Sequence, residues 1–459
     1  MDETIAAIAT PPGEGGIGII RISGEDSLDI LKKIFVPANK KYLENPESRK
    51  MVYGNIVDPS TGKIVDEVLC VYMKGPKTYT VEDVVEINCH GGMVPLRKTL
   101  ELVLNYGARS AERGEFTKRA FLNGRLDLSQ AEAVIDLIRA KTDKTFDVAM
   151  TQLEGVFSKN IKKIRKKLVD VLVNIAVNID YPDEDIEELT YENLENSLDD
   201  IKKDVSKLID SSDTGRIIQE GLKVSIIGKP NVGKSSLMNN LLNEARAIVT
   251  EIPGTTRDTI EEHLSIRGIP VILTDTAGIR ETSDVIEKIG IEKSKQSFNE
   301  ADLVIFIIDG SRALSEEDNE IIKYIDEKKT IVVLNKVDLE SVIRKEDLRK
   351  LLPSVRIIET SMQSQQGIDA VEEEIETMVY GGKVSRNDNV MVTNARHKNI
   401  LVQADKSLSD AIHMTKLKEA LDFIEIDVKS AYESLGEIIG ETVQDDIINE
   451  VFSRFCLGK

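Results

Sequence analysis

The run Gly228-Lys229-Pro230-Asn231-Val232-Gly233-Lys234-Ser235 is followed by Ser236-Leu237-Met238-Asn239-Asn240-Leu241-Leu242 and preceded by the apolar stretch Leu222-Lys223-Val224-Ser225-Ile226-Ile227. These residue types suit a phosphate cradle. Glycine lets backbone N–H groups turn inward around a β-phosphate, Lys234 has the reach for the β- and γ-phosphates, Ser235 offers a hydroxyl to Mg²⁺, and the helix start adds its dipole. Asn231, Val232, Gly233 and Ser236 complete the loop. Short glycine patterns arise by chance, so the flanks decide. A buried strand before the loop and an amphipathic helix after it are what the chemistry requires, and both are written here.

Further along, Asp275-Thr276-Ala277-Gly278 follows the strand-like Pro270-Val271-Ile272-Leu273-Thr274. That places a carboxylate at the C-terminal edge of a parallel sheet, where it can hold Mg²⁺ through water while the Gly278 N–H faces a γ-phosphate. Asn335-Lys336-Val337-Asp338 follows Thr330-Ile331-Val332-Val333-Leu334. The Asp338 carboxylate can accept from N1–H and the N2 amine of guanine, donors that adenine lacks, and a carboxylate left unpaired disfavours adenine strongly. Thr250-Glu251-Ile252-Pro253-Gly254-Thr255-Thr256-Arg257-Asp258 falls where a first switch loop must lie, with Thr256 as the natural Mg²⁺ ligand. Ser361-Met362-Gln363 would close the base end. Together these parts resemble a Ras-type GTPase binding GTP and GDP. One position departs: Ile279 stands where a glutamine would orient the attacking water. Isoleucine cannot do so, and Glu281, Asp284 and Glu287 are the carboxylates that follow, which spacing alone does not separate.

The elements that must position these groups set the domain plan. With 459 residues the chain has room for about three domains, and 41% hydrophobic against 31% charged content marks a soluble globular protein. No apolar run reaches membrane-spanning length, the acidic start Met1-Asp2-Glu3 gives no signal peptide, and three cysteines suggest a reducing cytoplasm. The net charge of −20 excludes nucleic-acid binding by bulk attraction. Residues 216–381 alternate strand and helix patterns, as an inserted α/β Ras-like domain would. Residues 121–215 and 382–459 are expected to form one all-α helical domain from two segments: Leu198, Ile201, Val205, Leu208 and Ile209 show helical spacing before the insertion, and Leu401, Ala404, Leu408, Ala411 and Ile412 do so after it. Residues 1–120 read as an α+β domain, with short strands at Thr4–Ala9, Ile17–Ile22, Met51–Val57, Glu67–Tyr72 and Val84–Asn88 and a helix near Val94–Leu104.

Three tempting signals carry less. Gly13-Glu14-Gly15-Gly16-Ile17-Gly18 matches a dinucleotide fingerprint, but a strand follows it where a helix must open. Cys89-His90 supplies too few ligands for a metal. Lys162, Lys163, Arg165, Lys166 and Lys167 read as a solvated helix face rather than an RNA patch.

Several stretches outside the nucleotide motifs resemble the MnmE/TrmE family of tRNA-modification GTPases: Thr4–Pro12 with Gly15–Gly24, Tyr79-Thr80 with Glu82–Glu86 and Cys89-His90-Gly91-Gly92, Gly114–Thr117 with Arg119–Leu128, and Phe455-Cys456-Leu457-Gly458-Lys459. The resemblance covers the whole chain and implies much about function. It implies an N-terminal domain (1–120) that binds folate and makes a homodimer, a helical domain carrying the inserted GTPase, and a partnership with an FAD-dependent flavoprotein in a heterotetramer. It implies addition of an aminomethyl or carboxymethylaminomethyl group to C5 of the wobble uridine of tRNA, with 5-formyl- or methylene-tetrahydrofolate as one-carbon donor. Folate contacts would be Arg21, Glu86, Arg125 and Lys459, guanidinium and ammonium groups suiting the glutamate tail and a carboxylate the pterin donors. Asn231 and backbone groups of Thr250, Ile252 and Thr255 would hold K⁺, Glu287 would orient water through a bridging water, and Cys456 would serve the modification as nucleophile or proton donor. The competing reading is a regulatory or ribosome-associated GTPase switch. That would call for a basic, aromatic-bearing RNA appendix, which an acidic chain with 4% aromatics does not supply.

Overall fold

The computed structural model describes residues 3–180, 190–244, 261–275, 301–327, 329–381 and 391–459. The chain falls into two compact units, one of residues 1–135 with 433–459 and one of residues 136–432. The division therefore gives 433–459 to the N-terminal unit, where the sequence pattern assigns it to the helical domain.

The first unit is built on a seven-stranded sheet of β1 (Ile5–Ile8), β2 (Gly15–Ser23), β3 (Phe35–Pro37), β4 (Met51–Val57), β5 (Ile64–Met73), β6 (Val84–Gly91) and β7 (Arg109–Ser110), in the order β3-β4-β5-β6-β2-β1-β7. Its central strands alternate. Ile20, Ile22, Val85, Ile87 and Cys89 turn to one face and join Ile30, Leu31, Ile34, Leu96 and Val103 from helices Ser27–Ile34 and Met93–Asn105. Period-two patterning then sends Arg21 and Glu86 to the opposite face, where they are direct cross-strand partners. β2 opens at Gly15, inside the glycine run that matched a dinucleotide fingerprint, and this excludes that use. Cys89 is buried, while exposed His90 bonds Asp66 through Nδ1 at 2.6 Å; no metal-ligand cluster occurs among the described residues.

The second unit contains β8 (Leu222–Ile227), β9 (Glu261–Ile266), β10 (Ile269–Asp275), β11 (Leu303–Asp309), β12 (Thr330–Asn335) and β13 (Arg356–Thr360), in the order β13-β12-β11-β8-β10-β9. All neighbours are parallel except β9 with β10. β11 and β12 are buried along their whole length, as a parallel sheet covered on both faces demands. Leu303, Ile305 and Ile307 pack to one side with Leu237 and Leu241, and Val304, Phe306 and Ile308 to the other with Leu348 and Leu352. β8 is central, and the chain leaves it first towards β10 and later to β11 on its other side. The crevice at its C-terminal end is the position where such sheets bind ligands.

Helices Val156–Asp180, Tyr191–Asp210 and Ala395–Leu417 make up much of the remainder. Leu194, Leu198, Ile201, Val205 and Leu208 are buried on one helix, and Leu401, Ala404, Leu408 and Ala411 on another. Lys202 reaches Asp405 across the two at 2.8 Å. The chain passes into and out of the parallel sheet side by side: Thr214 Oγ1 donates to the Val379 carbonyl at 3.1 Å, and the Val392 N–H to Ser211 Oγ at 3.2 Å. The basic run is not uniformly solvated. Lys162, Lys163 and Lys166 are exposed and Lys167 pairs with Asp200 and Asp204, but Arg165 is buried over the Tyr432 ring at 4.1 Å. No described helix is long and apolar enough to cross a membrane.

Candidate functional site

The loop after β8 has its shape from three backbone positions. Gly228 has φ +144°, and a Cβ there would sit 2.5 Å from the Ile307 carbonyl oxygen; Gly233 has φ +113°, and a Cβ there would strike the Asn335 amide. Asn231 takes φ +64° despite its side chain, a conformation that asparagine tolerates better than most residues. Helix Lys234–Glu244 starts inside the loop, so its free N–H groups face the space the loop encloses. The Lys234 ammonium donates to the carbonyls of Gly228 and Lys229, each at 2.7 Å. Asn231, Ser235 and Ser236 are exposed.

Asn335 joins the phosphate end to the base end. Its Nδ2 donates to the Val232 carbonyl at 2.8 Å, and its Oδ1 accepts from the Met362 N–H at 3.1 Å and Thr360 Oγ1 at 3.3 Å. One buried amide thus fixes the phosphate loop, the segment leading to Asp338 and the Ser361–Gln363 loop together. Asp338 is exposed at this edge, Ser361 and Met362 are buried, and Gln363 is exposed. Asn240 Nδ2 adds a bond to the Met362 carbonyl at 3.3 Å.

Sequence reading missed Asp309. It ends β11, is 7% exposed, and accepts from Lys336 Nζ at 2.6 Å and from Ser311 N and Oγ at 3.0 and 2.6 Å. Burial works to raise its pKa, but the Lys336 and Ser311 bonds prevail and hold the carboxyl below the ordinary aspartate value. A carboxylate closing an otherwise apolar run, Leu303–Ile308, was the available signal. Asn240 and Thr360 carried none.

The first unit assembles a second cluster. Arg21 on β2 donates from Nε to Glu86 Oε1 at 2.9 Å, with Nη2 2.8 Å from the same oxygen. Both side chains are about four-fifths buried. The Arg21 guanidinium centre lies 5.9 Å from the Tyr79 ring centroid and 5.7 Å from that of Phe116. Arg125 stands 4.7 Å from the Tyr79 centroid and donates to the Tyr79 carbonyl at 3.0 Å, its side chain otherwise exposed. The loop carrying Tyr79 is clamped: Ser23 bonds Thr80 and Glu82 at 2.6 and 2.7 Å, Arg119 pairs with Glu82 at 3.0 Å, and Asn123 donates to the Thr80 carbonyl at 2.7 Å. Two guanidiniums flank one aromatic ring, with a carboxylate beside them. That donor set fits an anionic ligand bearing a flat heterocycle.

The C-terminal tail belongs to the same unit. The Gly114 N–H donates to the Cys456 carbonyl at 3.4 Å, Leu457 bridges Arg113, and Gly458, at φ +87°, packs so closely on the Ile8 carbonyl that a Cβ would clash. Ile8 pairs with Ile20 and Ala7 with Arg21, so the tail lies along the strand next to Arg21. Cys456 is a free, exposed thiol and Lys459 is half-buried.

Thr250, Ile252, Thr255, Thr256, Thr276, Ala277, Gly278, Ile279, Glu281, Asp284 and Glu287 lie outside the described residues. Asp275 ends β10 opposite Ile226 of β8, two residues short of Gly228.

Comparison with known proteins agrees with this layout. The family description "GTP-binding protein TrmE N-terminus" matches residues 4–125 and "MnmE helical domain" matches residues 128–456. Proteins described as tRNA modification GTPase MnmE are 53% identical in Alkaliphilus oremlandii, 53% in Clostridioides difficile and 52% in Alkaliphilus metalliredigens. Each alignment spans all of this chain and all of the relative. Identity at that level over full length, with two domain descriptions matched in the order the fold presents them, places this chain in the MnmE family of tRNA modification GTPases.

Proposed function

We propose that this chain hydrolyses GTP in the service of tRNA modification, and that the modification is the addition of an aminomethyl or carboxymethylaminomethyl group to C5 of the wobble uridine. The observation that carries the reading is the Asn335 joint, which ties a phosphate loop to a guanine-selecting segment inside a chain half identical to tRNA modification GTPases. Lys234 and the loop N–H groups would bind the phosphates, and Asp338 the base. Mg²⁺ would be held by Ser235 and Thr256, with Asp275 through water, and would neutralise phosphate charge. The exposed, left-handed Asn231 fits a K⁺ ligand, with backbone groups of Thr250, Ile252 and Thr255 as the others; K⁺ would supply the positive charge that an arginine finger supplies elsewhere. Glu287 would then orient the attacking water, a task Ile279 cannot perform.

In the first unit, Arg21, Glu86, Arg125 and Lys459 would hold a tetrahydrofolate, 5-formyl or methylene, which would supply the one-carbon unit. The flanked Tyr79 ring and the paired Arg21 and Glu86 support this assignment. Cys456, exposed on the tail that packs against β1, the strand paired with Arg21's, suits a nucleophile or proton donor there. Homodimerisation through the N-terminal domain and assembly with an FAD-dependent flavoprotein complete the proposal.

The hydrolytic assignment is tested by Glu287→Ala with full-length protein in K⁺ and in Na⁺. Hydrolysis should fall by about 10²-fold or more while GDP affinity stays within about threefold, and wild-type turnover should require K⁺. Loss of GDP binding in the variant would assign Glu287 to structure instead.

A further inference from the structure

We propose that Asp309 is a positioning residue for guanine recognition, acting through Lys336 on the turn that carries Asp338. Lys336 has φ +67°, a left-handed backbone that a long side chain adopts at a cost unless its surroundings hold it there. Its ammonium is the group being held. Nζ sits 2.6 Å from Asp309 Oδ2, and Asp309 is itself fixed by two bonds from Ser311 to its other oxygen. The register places Asp309 directly opposite Asn335, so the anchor and the start of the recognition segment are cross-strand neighbours.

Backbone bonds reinforce the same joint. The Gly310 N–H donates to the Asn335 carbonyl at 2.8 Å, and the Gly310 carbonyl accepts from Val342 and Ile343 at 2.8 and 3.1 Å. On the far side, the Val337 N–H donates to the Thr360 carbonyl at 3.3 Å and the Leu339 N–H closes a turn on Lys336 at 3.0 Å. Residues 335–339 are therefore gripped from β11 and from β13, with the Asn335 amide holding the start of the segment and the Lys336 ammonium tying the turn itself to Asp309. Among the described residues nothing anchors the exposed Asp338 side chain, so its aim follows from the turn. Removing the Asp309 charge would free the Lys336 ammonium to water and let the turn relax towards a right-handed backbone, swinging Asp338 off the base edge.

The proposal rests on the guanine-nucleotide reading, and full-length Asp309→Asn, Lys336→Ala and the double variant separate the two. Affinities for GDP and IDP are measured in each, since IDP lacks the 2-amino group that Asp338 would accept from. Asp309→Asn should weaken GDP by about tenfold and shrink the GDP-over-IDP preference, and the double variant should bind no worse than Lys336→Ala alone. Additive losses in the double variant, or an unchanged GDP-over-IDP ratio alongside a lowered melting temperature, would overturn the proposal in favour of a purely structural Asp309. Should Asp309→Asn fail to fold, Lys336→Ala still decides through the same ratio, an unchanged value counting against the proposal. A wild-type chain that binds no GDP would sink the underlying nucleotide reading as well.

Discussion

At the scale of single residues, charge buried in the first unit is used for order. Glu115 has an 11% exposed side chain and accepts from Arg109 at 3.0 and 2.7 Å, from Arg119 at 3.0 Å and from the Glu112 N–H at 2.8 Å. Burial favours its protonated form, but these bonds from Arg109, the Glu112 N–H and Arg119 outweigh it and hold the pKa below the ordinary 4.5. A carboxyl whose folded pKa is depressed stabilises the fold fully above its unfolded value and loses that contribution as pH falls through the folded one. Glu115→Gln should therefore destabilise the protein by about 1–2 kcal/mol near neutral pH, because Arg109 and Arg119 lose their shared anion while keeping Glu3 and Glu82. The gap between variant and wild-type melting should close as pH drops from about 4.5 downwards. Thermal melts at both ends of that range check it, and a gap that persisted in acid would mean Glu115 acts by shape rather than by charge.

At the scale of elements, close approach does what side chains cannot. Gly458 rests on the Ile8 carbonyl at φ +87°, so the tail can lie against β1 only because this position has no Cβ. Gly458→Ala should lift the tail and weaken binding of 5-formyl-tetrahydrofolate by at least about tenfold, while GTP hydrolysis is unchanged. Equilibrium binding and phosphate release measure the two; retained folate affinity would detach the tail from that site. The same elements show why some features were legible in sequence and others were not. β8, its glycine loop and its helix announce themselves because each is local: an apolar run, a turn only glycine allows, a helical period. Arg21 and Glu86 became visible through motif resemblance, and their facing each other across β2 and β6 is a matter of register. The Asp309–Lys336 pair depends on how β11 aligns with β12, which no window of sequence displays. Arg165, in a run of lysines, looked solvated because charge patterns do not reveal that Tyr432, on a distant helix, offers its ring. Helix Ser27–Ile34 is short and escaped notice for want of turns to establish a period.

At the scale of the whole molecule, the chain carries a nucleotide-binding sheet in one compact unit and an anion-suited aromatic cluster in the other. Among the described residues, Thr214 and Ser211 before the parallel sheet bond Val379 and Val392 after it, so the chain enters and leaves that sheet side by side. An acidic chain of this kind gains little from bulk attraction to tRNA, so any hold on tRNA must come from a local basic patch or through a partner. We propose that the modification chemistry is applied to the wobble uridine and depends on a working GTP site. Nucleoside analysis of tRNA from cells lacking the protein tests it most directly, with wild-type and Lys234→Ala chains returned as controls. The C5 aminomethyl-type groups should be missing from wobble uridines, restored by the wild-type chain and not by Lys234→Ala. Wobble uridines that keep those groups in the deletion strain would contradict the account.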